Sequence, residues 1–382
     1  MVRAMGLACV LSCFSAATAA GAEGDGVRLA LADQDAGSVK AVAVEARVAL
    51  AAGDAERALA LLKNRGLRIT KAERRSIEGR AHFLLQDYIT ARRKLRSALR
   101  LRSADERDWY WLGRTYAAGG SAALAASCFE KAHWHGLDSA ELHYHWAAAL
   151  ADADRVLGQI RQVRWTDADG PCPAVGALLE DGVVLAHLSS PSGRLVVAPV
   201  KSAIFQVQKA LSLKPTRTDA LLLAGRLWAR TNHPEHAVSL FAQAAPRLTG
   251  ASLAKCHARW AESLLALGDF EGYLEHAQAH IQLMRGVDPA GLAACYDTAA
   301  RESGNRGDLP GQIRYLKAGV QIHPAVDRLI RLADALLAAD MIGDAAPYLK
   351  QALALKPTKP QRRAIKHRLL RTSLLASPAV KP

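Results

Sequence analysis

The sequence predicts an all-α protein assembled from repeated helical hairpins. Half of the 382 residues are hydrophobic, and only 5% are aromatic. Ala and Leu supply much of the apolar content, and the 15 prolines fall mostly between apolar stretches. This balance suits packed helices better than a β-sandwich, and the apolar fraction excludes disorder throughout. Small and large apolar residues also recur about every 34 positions, and self-similarity at such a period is the signature of a repeat array.

The repeat is clearest between residues 107 and 140. It places large and small residues at fixed positions: Trp109, Leu112, Gly113, Tyr116, Ala125, Phe129 and Ala132. Similar residues stand 34 positions earlier, at Gly79, Ala91, Leu95 and Ala98. Downstream, the pattern returns with Ala203, Val207 and Ala210, then Gly225, Ala237, Phe241 and Ala244. These residues and spacings resemble the tetratricopeptide repeat, although Leu137 stands where the family usually has Pro. The resemblance implies a right-handed α-solenoid of about eight tetratricopeptide-type hairpins between Val39 and Pro357.

Turn and end signals fit the same hairpins. We expect the turn between the two helices of a unit at three Gly-Asp pairs: Gly53-Asp54, Gly268-Asp269 and Gly307-Asp308. Units close at Pro215, Pro324 and Pro357. A last helix, predicted over 361–375, carries basic residues on its exposed side, as a solubilising cap needs: Arg362, Arg363, Lys366 and Arg371.

The chain divides into six predicted segments. Residues 1–22 have the layout of a signal peptide, with a basic start, an apolar stretch and small residues at the end, and 23–38 form a linker. A first repeat array covers 39–155, a β-strand insertion 156–198, a second array 199–357, and a basic capping helix and tail 358–382. We therefore expect an exported protein, periplasmic or secreted, with no transmembrane span. Lipidation at Cys13 is the less favoured alternative.

The insertion interrupts one hairpin. The first helix of that hairpin is predicted from Ala140 to about Ala151, and the second, with Ala203, arrives about 44 residues late. Between them, alternating apolar residues and the turn pair Asp181-Gly182 predict three or four short antiparallel strands. The insertion either offers a partner a second contact, for which His187 and Arg194 are the candidates, or only rigidifies the array.

Removal of a signal peptide would leave four cysteines, Cys128, Cys172, Cys256 and Cys295, in a compartment where disulfides persist. Four cysteines allow three pairings, and the spacing does not choose among them. We expect three of them to be small buried residues, and Cys172 to lie in an exposed loop.

The net charge of +14 favours an acidic partner. The basic residues concentrate in two regions: residues 63–102 carry 13 Lys and Arg against three acids, and residues 345–382 carry nine bases and no acid. The rest of the chain is mildly acidic.

The resemblance also implies that the first helices of the hairpins line a groove. The position that points into it holds Arg80, Arg114, Arg226 and Arg301, with Arg107 and Tyr110 beside Arg114. Arginine there suits a carboxylate or a phosphate, unless it pairs with an acid on a neighbouring helix. Some relatives hold a C-terminal carboxylate with an Asn and Lys clamp. The three asparagines of this chain lie near turns or helix junctions, so that clamp is not expected.

No metal site or cofactor is predicted. His133, His135, His143 and His145 lie close in sequence, but residues two apart on a helix point to different sides. His276 and His280 lack the glutamate position of a metalloprotease motif. A Cys172–His187 pair in the insertion is conceivable, but nothing in the sequence orients it, and no phosphate loop, nucleophile elbow or dinucleotide fingerprint occurs.

The sequence therefore predicts a protein that is not an enzyme: a scaffold binding an unidentified protein or peptide in the groove, with the insertion as a further contact. The alternatives are a basic surface that binds an acidic polymer or membrane headgroups, giving peripheral membrane association, and a hydrolase using the insertion. Nucleic acid is not expected as a natural ligand of an exported protein.

Overall fold

The computed structural model describes residues 41–63, 69–188 and 193–376. Within these residues the chain forms 17 α-helices and one four-stranded sheet. They divide into two compact units, with the boundary between Pro215 and Thr216. The predicted signal peptide and linker lie outside the described residues.

The described part of the first unit contains eight helices and the sheet. The helices are α1 Ala41–Ala51, α2 Ala55–Leu62, α3 Lys71–Leu84, α4 Tyr88–Leu101, α5 Glu106–Ala118, α6 Ala122–Trp134, α7 Ala140–Asp152 and α8 Ala203–Leu213. They pack as four hairpins, in which odd-numbered helices come first, and the first helices of successive hairpins also contact one another.

The described part of the second unit contains nine helices. They are α9 Thr218–Arg230, α10 Pro234–Ala244, α11 Gly250–Leu267, α12 Phe270–Arg285, α13 Pro289–Asn305, α14 Leu309–Ile322, α15 Val326–Ala338, α16 Ile342–Ala354 and α17 Lys359–Ala376. The first eight form four hairpins, and α17 packs on the last one. The predicted array of about eight hairpins is therefore confirmed, and α17 lies in the region where the terminal helix was predicted.

A glycine on the first helix of a hairpin lets the second helix approach closely. A Cβ atom on Gly113 would lie 2.7 Å from Cε1 of the buried Phe129, and one on Gly79 would lie 2.6 Å from Cγ of Leu95. Carbon atoms do not approach this closely, so only glycine fits. The second unit repeats the contact, with Gly225 against Phe241 at 2.7 Å.

The predicted Gly-Asp turns are present. Gly53 has a φ of 78°, a left-handed conformation that glycine adopts without strain, and Asp54 caps α2 by accepting a hydrogen bond from Arg57 N at 2.9 Å. Gly268-Asp269 and Gly307-Asp308 repeat both features. Each turn thus satisfies a backbone donor that the helix start leaves open.

The insertion leaves and re-enters its hairpin at one place. Helix α7 ends at Asp152, and α8 begins at Ala203. The backbone N–H groups of Ala203 and Ile204 donate to the carbonyls of Arg155 and Val156, at 3.0 and 3.2 Å. The insertion therefore leaves the pairing of α7 with α8 intact.

Four antiparallel strands form the insertion: β1 Arg161–Arg164, β2 Leu178–Leu179, β3 Gly182–His187 and β4 Arg194–Pro199. Their order in the sheet is β1-β4-β3-β2. The turn between β2 and β3 consists of Glu180 and Asp181, one residue before the predicted pair Asp181-Gly182, because Gly182 already pairs with Leu179 as the first residue of β3. Strand β2 is also shorter than the run 177–180 suggests. Val184, Leu195 and Val197 are fully buried and form a small core of their own.

The terminal helix begins at Lys359, two residues before the predicted start. Ile365 is fully buried against the preceding hairpin. The four basic side chains predicted for its outer side are exposed: Arg362, Arg363, Lys366 and Arg371.

Candidate binding surface

Arg80 does not face solvent as a free cation. Its side chain is 18% exposed, and its Nη2 donates to Oδ1 of Asp108 at 3.4 Å. Burial lowers the pKa of Arg80, and the Asp108 carboxylate opposes this effect. Asp108 belongs to the next hairpin, so this pair links α3 to α5.

Asp108 is fully buried and lies at the centre of a polar cluster. It also accepts a hydrogen bond from Ser76 Oγ, and Arg102 Nη2 lies 3.9 Å from its other oxygen. Burial raises the pKa of Asp108, because the surrounding helices exclude the water that would solvate the carboxylate, while Arg80 and the Ser76 hydrogen bond act in the opposite direction. Arg80 is therefore part of this structural cluster.

Two other predicted arginines have acidic neighbours on their own helices. Arg107 Nε lies 3.7 Å from Glu106, and Arg301 Nε donates to Glu302 at 3.1 Å. Arg226 on α9 is exposed, and none of the residues in the described ranges forms an ion pair with it.

Arg114 lies on aromatic rings. Its guanidinium carbon is 4.8 Å from the centre of the Trp111 ring, 4.9 Å from that of Phe83 and 5.9 Å from that of Tyr110. No carboxylate in the described part of the chain pairs with it, and its side chain is partly exposed. A cation held over ring faces is attracted to their negative centre and keeps its outward N–H groups available.

The rings around Arg114 continue across three first helices. We call the set Phe83, Tyr110, Trp111, Tyr144 and His145 the aromatic strip; all five are partly buried. Ring centres are 5.4 Å apart for Phe83 and Trp111, 5.9 Å for Tyr110 and His145, and 5.1 Å for Tyr144 and His145. The strip thus joins α3, α5 and α7 around Arg114, and Arg80 also reaches it, with its guanidinium carbon 6.0 Å from the centre of the Trp111 ring.

Sequence reasoning found Tyr110 and Arg114 but missed the rest of the strip. Phe83 and Trp111 occupy positions that the repeat pattern does not define, and His145 was treated only as part of a histidine group. A signal was present, because Phe83, Trp111 and Tyr144 are large aromatic residues in a chain with few of them.

The two insertion residues that were predicted to contact a partner are exposed. Arg194 on β4 donates to Oε1 of Gln162 at 3.4 Å, across to the neighbouring strand β1. His187 ends β3, and its Nε2 donates to the carbonyl of Pro173 at 2.6 Å.

That hydrogen bond orients His187 toward Cys172. With its proton on Nε2, the ring presents Nδ1 as an acceptor, and Nδ1 lies 3.7 Å from Cys172 Sγ. The sequence contained nothing that would orient this pair, whereas the fold supplies a carbonyl that does. A base oriented in this way is one part of a nucleophilic site; a bound substrate and oxyanion donors are the others.

The four cysteines in the described residues are free thiols. Cys128 and Cys256 are buried as expected, and burial raises their pKa values to about 12 and about 11. Cys295 is only half-buried, which corrects the expectation of three buried cysteines, because its side chain lies near Tyr273 at the edge of the core.

The histidines separate into different environments. His133 and His143 face each other with ring centres 5.4 Å apart, His145 joins the aromatic strip and His135 is exposed. His276 stacks on Trp260, whereas His280 Nδ1 lies 2.9 Å from the carbonyl of Ala254. Helical geometry separates neighbours within each helix, as predicted, but it brings His133 and His143 together across the junction of two helices.

Of the helices that the structure describes, none combines the length and the apolarity that crossing a membrane requires.

No family model matches the chain, and no curated protein matches it. Several solved structures are similar to the chain in fold. A tetratricopeptide repeat protein from Parabacteroides merdae is 14% identical over 79% of this chain and 99% of its own, with a TM-score of 0.40. YrrB, a tetratricopeptide repeat protein with an unusual peptide-binding site, is 15% identical over 70% and 92%, with a TM-score of 0.34. The pilF protein of Pseudomonas aeruginosa is 13% identical over 67% and 93%, with a TM-score of 0.39. The repeat assignment rests on the hairpins themselves, whose period, glycine contacts and capped turns fit a tetratricopeptide repeat protein.

Proposed function

We propose that this tetratricopeptide-type array is a non-catalytic scaffold that binds a peptide or protein partner on the aromatic strip of its first unit. The observation that carries the proposal is Arg114, a partly exposed cation placed on three rings with no carboxylate paired to it in the described residues. A cation without an acidic partner can give a charge-assisted hydrogen bond to a ligand.

The chemistry of the strip defines the partner. The planar guanidinium of Arg114 suits a carboxylate, which it can hold with two parallel hydrogen bonds. Partly exposed rings beside it suit an aliphatic or aromatic side chain, because they gain buried area while losing little conformational freedom. We therefore expect a segment in which an acidic residue lies beside an apolar one. Arg80, which the sequence placed in the same role, contributes by holding α3 against α5.

The insertion is proposed as a further contact, through the exposed His187 and Arg194. Export to the periplasm or beyond is likewise proposed, on the layout of residues 1–22. Amino-terminal sequencing of the chain from its source would test export; a chain that still begins at Met1 would contradict it.

A selection from a library of displayed random peptides tests the binding proposal. The immobilised chain should enrich peptides that combine Asp or Glu with an apolar neighbour. The substitution Arg114→Glu should weaken the binding of an enriched peptide by more than about tenfold, because it removes the attractive charge and adds a repulsive one.

The matched control is Arg93→Glu, the same charge change on an exposed position of α4. It should leave the affinity unchanged within about twofold, apart from a small effect on the association rate. Equal weakening by both substitutions, with a steep loss of binding between low and moderate salt, would instead show a basic surface that binds acidic polymers. Full retention of the peptide by the Arg114→Glu variant would overturn the proposed site.

A further inference from the structure

Three metal-ligating side chains converge where α6 passes into α7. His133 lies in the last turn of α6, Asp138 in the connection, and His143 in the first turn of α7. One potential ligand atom from each lies within 4.8 Å of the other two. This cluster is separate from the aromatic strip and plays no part in the proposed binding of a partner.

The orientation of His143 is fixed by a buried amide. Gln206 on α8 donates through Nε2 to the carbonyl of Val200 at 2.6 Å, which turns its Oε1 toward His143. Nδ1 of His143 lies 2.5 Å from that oxygen and therefore carries a proton. The other ring nitrogen, Nε2, points at Asp138, 2.6 Å from Oδ1.

This is how proteins commonly hold a metal-binding histidine. One ring nitrogen donates to an oxygen of the protein, which fixes the ring and increases the basicity of the other nitrogen. His143 and Gln206 are 2% and 1% exposed, so packing holds both in place. The carbonyl of Leu137 lies 3.3 Å from Nδ1 of His133 and supports the second ring.

Asp138 has room to move. Its side chain is 48% exposed, and Lys209 is 3.9 Å from its second oxygen. The carboxylate can therefore withdraw slightly from His143 to admit an ion between them.

We propose that His133, Asp138 and His143 bind one divalent transition-metal ion of the zinc class. Two imidazoles and a carboxylate suit zinc, cobalt and nickel, and a site with three protein ligands keeps a position open for water or another ligand. Coordination replaces any proton on Nε2 of His143, which passes to solvent. Bonds of roughly 2.0–2.1 Å in a tetrahedral arrangement place two ligand atoms about 3.3 Å apart, so Asp138 has to move less than about 1 Å.

The ion would brace the interrupted hairpin. It joins the end of α6 to the start of α7, and Gln206 extends the connection to α8 and to Val200, directly after β4. Occupancy should therefore stabilise the place where the sheet is attached to the helices.

The test uses the full chain after treatment with a chelator. Co²⁺ is titrated while its visible absorption is followed, because the intensity of these bands reports the coordination number, and Zn²⁺ is titrated by calorimetry. The wild-type chain should bind one ion saturably at this site and show a higher Tm in excess Zn²⁺, since an ion that binds only the folded chain stabilises it.

Two substitutions remove ligands and leave the buried His143 and its hydrogen bond to Gln206 in place: His133→Ala and Asp138→Asn. Each should weaken binding by more than about 100-fold, because even loss of a residue that only supports a ligand costs 10–100-fold. Each should also lose the Tm shift with Zn²⁺. His135→Ala, which removes an exposed histidine two residues from His133, should behave as wild type. Circular dichroism without metal confirms that all three variants fold.

The rival explanation is a hydrogen-bonded His143–Asp138 pair that binds no ion. Under that explanation, Asp138→Asn changes the Tm of the metal-free chain, and His133→Ala leaves it unchanged. Zn²⁺ does not shift the Tm of either variant. Absence of saturable binding by the wild-type chain would overturn the proposal. So would binding that survives both ligand substitutions, because the ion would then lie on other histidines.

Discussion

Arg80 and Arg114 occupy the same position in successive hairpins, on α3 and α5, and both lie over the ring of Trp111, yet only Arg80 has an acidic partner. Arg80 is met by Asp108, which stands 28 residues further along and is fully buried. The residue 28 positions after Arg114 is Leu142, which is also fully buried but apolar. The two positions therefore differ in one residue on the first helix of the next hairpin: a carboxylate that pairs with Arg80, and an apolar side chain in the corresponding place after Arg114. The repeat pattern defines the position of the arginine, but it does not define which residue stands 28 positions later.

Asp108→Ala should have the largest effect on stability. It leaves the buried Arg80 guanidinium without its counter-charge, and breaking a buried pair in this way costs about 3–5 kcal/mol. Urea unfolding of the purified chain measures the loss. Glu106→Ala is the control on the same helix; it removes a surface ion pair and should change the free energy of unfolding by less than about 0.5 kcal/mol. Similar losses in both variants would show that the cluster around Asp108 is not special.

Gly113→Ala tests the packing beneath the strip. The added methyl group would lie 2.7 Å from the ring of Phe129, which is fully buried and has no room to move. We expect a loss of about 1–3 kcal/mol in the free energy of unfolding. Gly343→Ala makes the same change at a helical position with open space around the new atom, and there it should stabilise by about 0.5–1 kcal/mol. A stabilising Gly113→Ala would contradict the close approach of α5 and α6.

The pH dependence of stability should separate Asp108 from exposed carboxylates. Burial raises the pKa of Asp108, so the folded chain holds this proton more tightly than the unfolded chain does. Stability contributed by the group therefore falls as the pH rises from the unfolded pKa, about 3.8, through the raised folded pKa. The amide of the Asp108→Asn variant does not titrate, so its stability lacks this contribution to the pH dependence.

The comparison of wild type with Asp108→Asn isolates that effect. As the pH rises above about 4, the wild-type chain should lose free energy of unfolding relative to the variant, because its folded state must release this proton. Denaturation curves at several pH values measure the difference. A difference that stays constant over this range would mean that Asp108 does not titrate there.

Much of the fold was predictable because it depends on residues that recur. The spacing of Gly113 and Phe129 alone predicts two helices in close contact, and its repetition predicts the array. The pair Asp181-Gly182 predicted the hairpin between β2 and β3 but placed its turn one residue too late. Gly182 is the first residue of β3, and a glycine is needed there because a Cβ atom would collide with the carbonyl of Ala198. Element ends were less certain: α17 begins two residues before its predicted start, where Thr358 and Gln361 form a cap.

The candidate sites were predictable only in part, since they depend on contacts between residues far apart in sequence. His143 is oriented by Gln206, which is 63 residues away and on the far side of the insertion. The carbonyl that orients His187 belongs to Pro173, and only the folded sheet brings them together. The repeat pattern singled out Arg114 as a groove residue, but the rings beneath it lie outside that pattern.

Arg114→Ala should affect binding far more than stability. Its contacts with the rings are partly exposed, and a cation over a ring at such a site contributes about 0.5–1 kcal/mol. Urea unfolding should therefore show a loss of no more than about 1 kcal/mol, while an enriched acidic peptide is no longer held. A loss as large as that of Asp108→Ala would place Arg114 in the core and end the contrast with Arg80.

The last prediction concerns the reactivity of the cysteines, which we expect to have no effect on the free energy of unfolding. Burial raises the pKa of Cys128 to about 12 and that of Cys256 to about 11, so both are protonated at neutral pH and shielded from reagents. Cys172 is partly exposed and lies beside Nδ1 of His187. A thiol reagent, followed by mass spectrometry, should modify Cys172 more than about tenfold faster than either buried cysteine. His187→Gln then separates two causes: an unchanged rate means that exposure alone explains the reactivity and removes the basis for a hydrolase in the insertion, whereas a marked fall shows that His187 activates the thiol.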